Sequence, residues 1–342
     1  MANIWSDRLA SEGHSKRVCQ QFPLYLAPST LRQYNYNINK FYQFCTQRNI
    51  IFPAQDCCVL SDYLCFLADS SSRPESILKT NLAALSCFYD AINVPNIVSS
   101  PIIQRLFNAL VKSGTKEPMQ RTTTLPIHVF NEMFHSWGSN STLDVTKLRL
   151  KTIVLLALTL MLRPSDIAPA GVIYNPETHQ KEPYVFSTRH VIFHDDGSAT
   201  IRFLGIKNDS DRSGFQCVLP PAEDTVIDPV QTLKDYINKT ELVRSETTNS
   251  PVFLTLQRPY KHLTATGIAA VLSTAIKMAG LAGQGFTPRS FRPTGAQAAV
   301  DNQTDPKTAQ YHGRWRSESI FYTHYVHAKP PKDFSSKLMT HA

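Results

Sequence analysis

Ser113-Gly-Thr-Lys-Glu-Pro-Met-Gln-Arg-Thr-Thr-Thr124 places a glycine, a proline and a threonine run between two stretches of strong apolar periodicity. Glycine and proline punctuate a chain, and a hydroxyl-rich run cannot build a core, so these residues read as a linker. At 342 residues the chain is long enough for two cored domains. N-terminal to the linker, apolar side chains recur at the spacings of three and four that helices require. They are Leu31, Tyr34, Ile38, Phe41, Phe44 and Cys45, then Leu60 to Leu67, then Leu78, Leu82, Leu85, Tyr89 and Ile92, then Pro101 to Val111. Residues 13–28 read as irregular. The expectation is a helical domain over 1–115, a linker over 113–124 and a second domain over 125–342.

Beyond the linker the pattern becomes mixed. A helix is expected near Pro126 to Gly138, and an almost wholly apolar one ends at Leu162. Strands are expected at Tyr184 to Phe186, His190 to Phe193 and Thr200 to Leu204, the last pairing with Phe215 to Leu219 around a polar tip. Helices resume at Pro229 to Thr240, Thr264 to Ala279, Pro293 to Val300, Pro306 to Tyr311 and Ser317 to Val326. The fold class is therefore mainly α with a small antiparallel β-sheet in the second domain.

Composition removes several function classes. Charged residues make up 18% and apolar residues 42%, an ordinary folded composition. Lys and Arg number 35 against 27 Asp and Glu, a net charge of +8 that favours a polyanionic partner. The N-terminal Met1-Ala-Asn-Ile-Trp-Ser-Asp-Arg8 lacks the basic-then-apolar run of a secretory leader, so an intracellular location is expected. The apolar run Ile153–Leu162 is too short to cross a membrane and reads as a core helix. Seven cysteines without C-x-x-C spacing indicate neither disulfides nor zinc, and neither nucleotide-binding glycine motif occurs. His190 and His194 have ligand spacing but fall on a strand entering a turn, so no metal and no cofactor are expected.

Four distant segments each bring a cation or a nucleophile to the end of an element. Leu162-Arg163-Pro-Ser-Asp166 puts an arginine where the apolar helix stops, and a structural pair with Asp166 is its simplest role. Gly205-Ile-Lys207-Asn-Asp209 puts a lysine at the mouth of a hairpin. Phe286-Thr-Pro-Arg289-Ser-Phe-Arg292-Pro-Thr-Gly295 sets two arginines at the start of a helix, where amide groups already favour an anion. His312-Gly-Arg-Trp315-Arg-Ser-Glu318 precedes a helix bearing Tyr322 and Tyr325.

In this chain order, arginine, lysine, a second arginine, tryptophan and tyrosine resemble the active-site set of tyrosine recombinases and integrases. Ser290-Phe-Arg292, Gly313-Arg-Trp315 and His324-Tyr325-Val326 look most similar to eukaryotic mobile-element recombinases of the Crypton and DIRS kind. The resemblance covers residues 29–342 and implies a two-domain DNA clamp, in which a helical core-binding domain joins a catalytic domain. It carries the catalytic positions onto Arg163, Lys207, Arg292 and Trp315. Arg289 stands where the family often has histidine, which removes a proton carrier and keeps a phosphate donor. For the nucleophile, Tyr325 lies ten residues after Trp315 and Tyr322 seven, and the terminal motif favours Tyr325.

The chemistry suits these residue types. Guanidinium groups neutralise the nonbridging oxygens of a phosphodiester, and a tyrosine hydroxyl forms a covalent phosphotyrosine that conserves the bond for religation. The resemblance implies Lys207 as general acid, Asp166 as support for an arginine, and Trp315, or His312 nearby, as a wall or donor of the phosphate site. Partners follow as double-stranded DNA and further copies of the chain in a tetramer, with a nuclear location in a eukaryotic host. Arg32, Lys40, Lys79 and Arg105 of the first domain are candidate phosphate contacts. Two other readings stand beside this one: a domesticated DNA-binding protein that has lost cleavage, and a helical interaction module whose basic clusters are mere surface.

Overall fold

The computed structural model describes residues 2–71, 74–113, 124–175, 180–204, 206, 214–244 and 250–325. The chain divides into two units, Met1–Gln120 and Arg121–Ala342.

The first unit is helical: α1 (Ala2–Ser11), α2 (Lys16–Gln21), α3 (Pro28–Gln47), α4 (Cys57–Asp69), α5 (Pro74–Ala91) and α6 (Pro101–Ser113). The periodic residues named above turn inward. Phe41, Phe44, Leu60, Leu64, Leu78, Leu85 and Ile103 share one core, and the hydroxyls of Tyr63 and Tyr89 are satisfied inside it by Asn81 and the Ala54 carbonyl. The expectation of irregular chain over 13–28 is corrected, because α2 and a 3-10 turn at Phe22–Tyr25 lie there. Cys19 is the only buried residue of α2, and Trp5 and Leu9 are those of α1, too few to register as a period.

In the second unit, α7 (Ile127–Trp137) and α8 (Val145–Thr159) are followed by β1 (Val172–Asn175) and β2 (Gln180–Pro183), then β3 (Val191–Phe193), β4 (Ala199–Phe203) and β5 (Phe215–Leu219). Helices α9 (Pro229–Lys239), α10 (Ala265–Met278), α11 (Phe291–Asp301), α12 (Pro306–His312) and α13 (Glu318–His324) complete it. Helix α8 is buried from Leu148 to Leu158 on nearly every side, against α9, α10 and α11, which is why its second half, Ile153–Leu158, is apolar all round, while the buried Lys151 of its first half donates to Asn140. The sheet β3-β4-β5 is antiparallel, with Ile201 opposite both Val191 and Cys217.

Three expectations change here. Among the described residues there are two small sheets, the second being the antiparallel pair β1-β2, whose segments Val-Ile-Tyr-Asn and Gln-Lys-Glu-Pro lack alternation. Tyr184–Phe186 forms no strand, because its backbone is divided between the Gly171 carbonyl and the Val252 amide. His190 closes a 3-10 turn, Thr188–His190, and β3 begins after it.

Candidate active site

Two helix ends build the site. Helix α8 terminates through Met161 in the left-handed region (φ 49°), with Leu162 N–H reaching back to the Ala157 carbonyl at 3.1 Å. Helix α12 terminates in the same way through Arg314 (φ 61°), with Trp315 N–H on the Gln310 carbonyl at 3.1 Å. Neither residue is glycine, so both backbones are held in a conformation that L side chains resist.

The last carbonyls of a helix have no partner within it and carry its negative pole. At α8 they receive three side chains from the C-terminal elements. Thr159 O accepts from His312 Nε2 at 2.9 Å, Leu160 O from Arg314 Nη2 at 2.9 Å, and Met161 O from Arg292 Nη1 at 2.5 Å. The second Nη of Arg292 donates to the Gly313 carbonyl. Two glycines make this closeness possible. A Cβ at position 295 would overlap the Leu158 carbonyl, so only glycine lets α11 approach α8, and a Cβ at 313 would overlap the Trp315 ring.

That ring covers the face of the Arg292 guanidinium, 3.9 Å from its centroid, with the Tyr325 ring 4.6 Å from Trp315 and 6.0 Å from Arg292. Phe321 braces Trp315 from below at 5.0 Å. The Nε of Arg292 and the Nε1 of Trp315 are buried donors with no partner among the described residues.

Arg163, Arg292 and Arg314 gather around one carboxylate. Asp166 is 3% exposed, and its Oδ2 accepts from the Arg163 backbone amide at 2.9 Å and from Arg314 Nη2 at 3.5 Å. The expected side-chain pair between Arg163 and Asp166 is therefore corrected: the carboxylate serves Arg314. Burial pulls Arg292 below the ordinary guanidinium range, Arg163 and Arg314 push it further, and Asp166 and Tyr325 oppose them. Arg314 is lowered by burial and supported chiefly by Asp166. Among the described residues, three cations against one anion leave a positive surplus in a low-dielectric setting, an arrangement suited to an oxyanion.

Of the residues singled out in the sequence, Arg163, Asp166, Arg292, Trp315 and Tyr325 meet here. Arg289 is exposed on the 3-10 turn Pro288–Ser290 and joins none of these contacts. Tyr322 is 39% exposed and packs its edge on Phe321 at 5.4 Å, away from Arg292. His312 is turned onto Thr159 O, so of the two residues offered as the wall it is Trp315 that faces Arg292. Lys207 lies outside the described residues. In the first unit Arg32, Lys40 and Arg105 are exposed, Lys40 lying 5.2 Å over Tyr36, while Lys79 is engaged by Glu75 at 2.7 Å. Among the described residues no cluster has the makings of a metal site; His190 is held by Ser187 and His194 by Thr200. Sequence reasoning missed Arg314, whose one signal was a charge set between a glycine and the tryptophan.

No family model matches the sequence, and no curated protein matches it. Solved structures do. The chain is similar to the Tn1549 transposon integrase in complex with circular intermediate DNA, at 14% identity over 99% of this chain and 98% of that one, with a TM-score of 0.52. A variant of that integrase with transposon right end DNA gives 13% identity, 99% and 98% coverage and a TM-score of 0.55. The XerH site-specific recombinase in a post-cleavage complex with palindromic difH substrate gives 13%, 90% and 78%, and 0.54. The chain has the tyrosine recombinase fold.

Proposed function

We propose that this protein is a site-specific DNA recombinase or integrase of the tyrosine type, encoded by a mobile element of the kind its motifs resemble. The single observation that carries the reading is the buried cation surplus around Arg292 among the described residues, with Tyr325 beside it and two donors that have no partner among them. The fold shared with proteins solved in complex with DNA supports DNA as the partner. No helix among the described residues is long and apolar enough to cross a membrane.

In the proposed reaction the guanidinium groups of Arg163 and Arg292 take the nonbridging oxygens of one phosphodiester, with Trp315 Nε1 as a further donor. The Tyr325 hydroxyl gives its proton to solvent water and attacks phosphorus in line, a phosphotyrosine bond forms, and the bond to the 5′-oxygen breaks. That oxygen takes a proton from Lys207. A 5′-hydroxyl from a second duplex reverses the steps, and exchange between two duplexes calls for four protomers. The exposure of Arg289 favours a second reading, a DNA-binding protein with this fold in which cleavage is weak or lost.

The test is a suicide duplex, nicked beside the scissile linkage and carrying the sequences that flank the coding region. Wild type is expected to form a covalent adduct that survives denaturation, Tyr322→Phe to retain it, and Tyr325→Phe to lose it. Loss in Tyr322→Phe alone moves the nucleophile. Salt-dependent binding with no adduct selects the second reading.

A further inference from the structure

Arg314 belongs to none of the roles just given, yet it is 8% exposed, left-handed at φ 61°, and bonded both to the end of α8 and to Asp166. Glycine would take that backbone without strain. Its guanidinium donates to Leu160 O at 2.9 Å and lies 3.4 Å from Met161 O, the carbonyl that also holds Arg292. It reaches Asp166 Oδ2 at 3.5 Å, on the atom that receives the Arg163 amide. The rings of Phe203 in β4 and Phe215 in β5 lie 5.3 and 5.1 Å from its Cζ. Its own backbone leads directly into Trp315.

We propose that Arg314 is a positioning residue that keeps Asp166 occupied and so leaves the charges of Arg163 and Arg292 free for the scissile phosphate. The inference rests on the function proposed above. Asp166 is buried and has one cationic side-chain partner among the described residues. A buried carboxylate deprived of its partner must be neutralised, and the remaining candidates are the two arginines that the reaction needs. The planar fork of arginine can hold a helix-end carbonyl and a carboxylate together, whereas a lysine offers a single point of charge. Burial lowers the Arg314 pKa and Asp166 opposes that fall, in keeping with a pair that holds its charges together.

The experiment measures single-turnover adduct formation at saturating suicide duplex, with DNA affinity and thermal midpoint in parallel, on wild type, Arg314→Gly, Asp166→Asn and the double variant. Arg314→Gly is expected to slow adduct formation by about 30-fold, with DNA affinity within about threefold of wild type. Adding Asp166→Asn is expected to restore about a fivefold share of that loss, because the orphaned carboxylate is gone. With a methylphosphonate at the scissile position, which carries no nonbridging charge, the Arg314→Gly defect should shrink to within about fivefold. A merely structural arginine predicts a double variant no faster than the single one and equal losses on both linkages, and either result overturns the inference. Should Arg314→Gly fail to fold, the double variant and Arg314→Lys carry the same comparison of the two linkages. Absence of an adduct in wild type overturns the function itself, and this inference with it. An adduct in wild type with Arg314→Gly within threefold of it overturns this inference alone.

Discussion

Two arginines of the second unit, Arg244 and Arg292, are both held by backbone carbonyls beneath an aromatic ring, and they differ in how their donors are spent. Arg244 donates to the carbonyls of Pro251, Val252 and Ile237 and to the Thr240 hydroxyl, with Tyr236 at 5.8 Å. Its Nε and both Nη atoms are engaged, and burial lowers its pKa while the neighbouring Tyr236 opposes that fall. Arg292 spends both Nη atoms on Met161 and Gly313, keeps Nε unpartnered, and sits between two other arginines that repel it. Burial alone therefore fails to separate an arginine that holds the fold from one that awaits an anion, whereas a donor-by-donor account separates them.

The largest expected effect tests that separation directly. Arg292→Met should cut adduct formation by about a thousandfold, the size of an oxyanion donor's contribution, and change stability little, because removing a repelled cation offsets the lost carbonyl bonds. Arg244→Met should do the reverse. Three carbonyls lose their donor, at a cost of about 2–4 kcal/mol, while activity per folded molecule holds. Thermal unfolding and single-turnover cleavage on both variants check the pair. A catalytic loss in Arg244→Met without a loss of stability breaks the comparison.

The next effect acts through geometry. Gly313 leaves room for the Trp315 ring, and any Cβ there forces the ring off the Arg292 guanidinium. Gly313→Ala should lower adduct formation by about 10- to 100-fold, with a loss of thermal midpoint of only a few degrees. A change in tryptophan emission that saturates with DNA in wild type, and is absent from the variant, would place the defect at that ring. Full activity in Gly313→Ala would show that the stack over Arg292 serves packing alone.

How much of this was legible depended on the range of each signal. The helices α3 to α6 were readable because their apolar faces repeat within a few residues, and the second half of α8 because Ile153–Leu158 is apolar on every side, whereas α2 buries too little to show a period. The pair β1-β2 was not, since Gln180–Pro183 has neither alternation nor β-branched residues. The order Arg163, Arg292, Trp315, Tyr325 was visible as a resemblance, but its convergence rests on left-handed turns at Met161 and Arg314 that no glycine announces. The partner of Arg314 lies 148 residues away, and local reading therefore paired Asp166 with its neighbour Arg163 instead. The terminal His324-Tyr325-Val326 motif favours Tyr325 over Tyr322, and in space it is the Tyr325 ring that reaches Trp315.

The smallest effect extends the donor account to a buried base. His190 is 6% exposed, its Nδ1 accepts from the Ser187 amide at 3.1 Å, and its ring stacks on Phe186 with an interplanar angle of 13°. Its Nδ1 is engaged in the neutral form, because a proton on Nδ1 would displace the Ser187 donor. Burial first, then Arg189 and Arg202, pull its pKa down from 6.5 to about 4. The unfolded chain therefore binds the extra proton between those values, so stability is complete above about pH 6.5 and falls as the pH drops toward 4. Between pH 6.5 and 5.5 the loss from this group should be about 1 kcal/mol. His190→Gln should flatten that part of the stability curve, measured by denaturant unfolding across the range, and leave cleavage per folded molecule unchanged. If the slope persists in the variant, the proton belongs to another group, of which His312, also lowered by burial, is the first to replace.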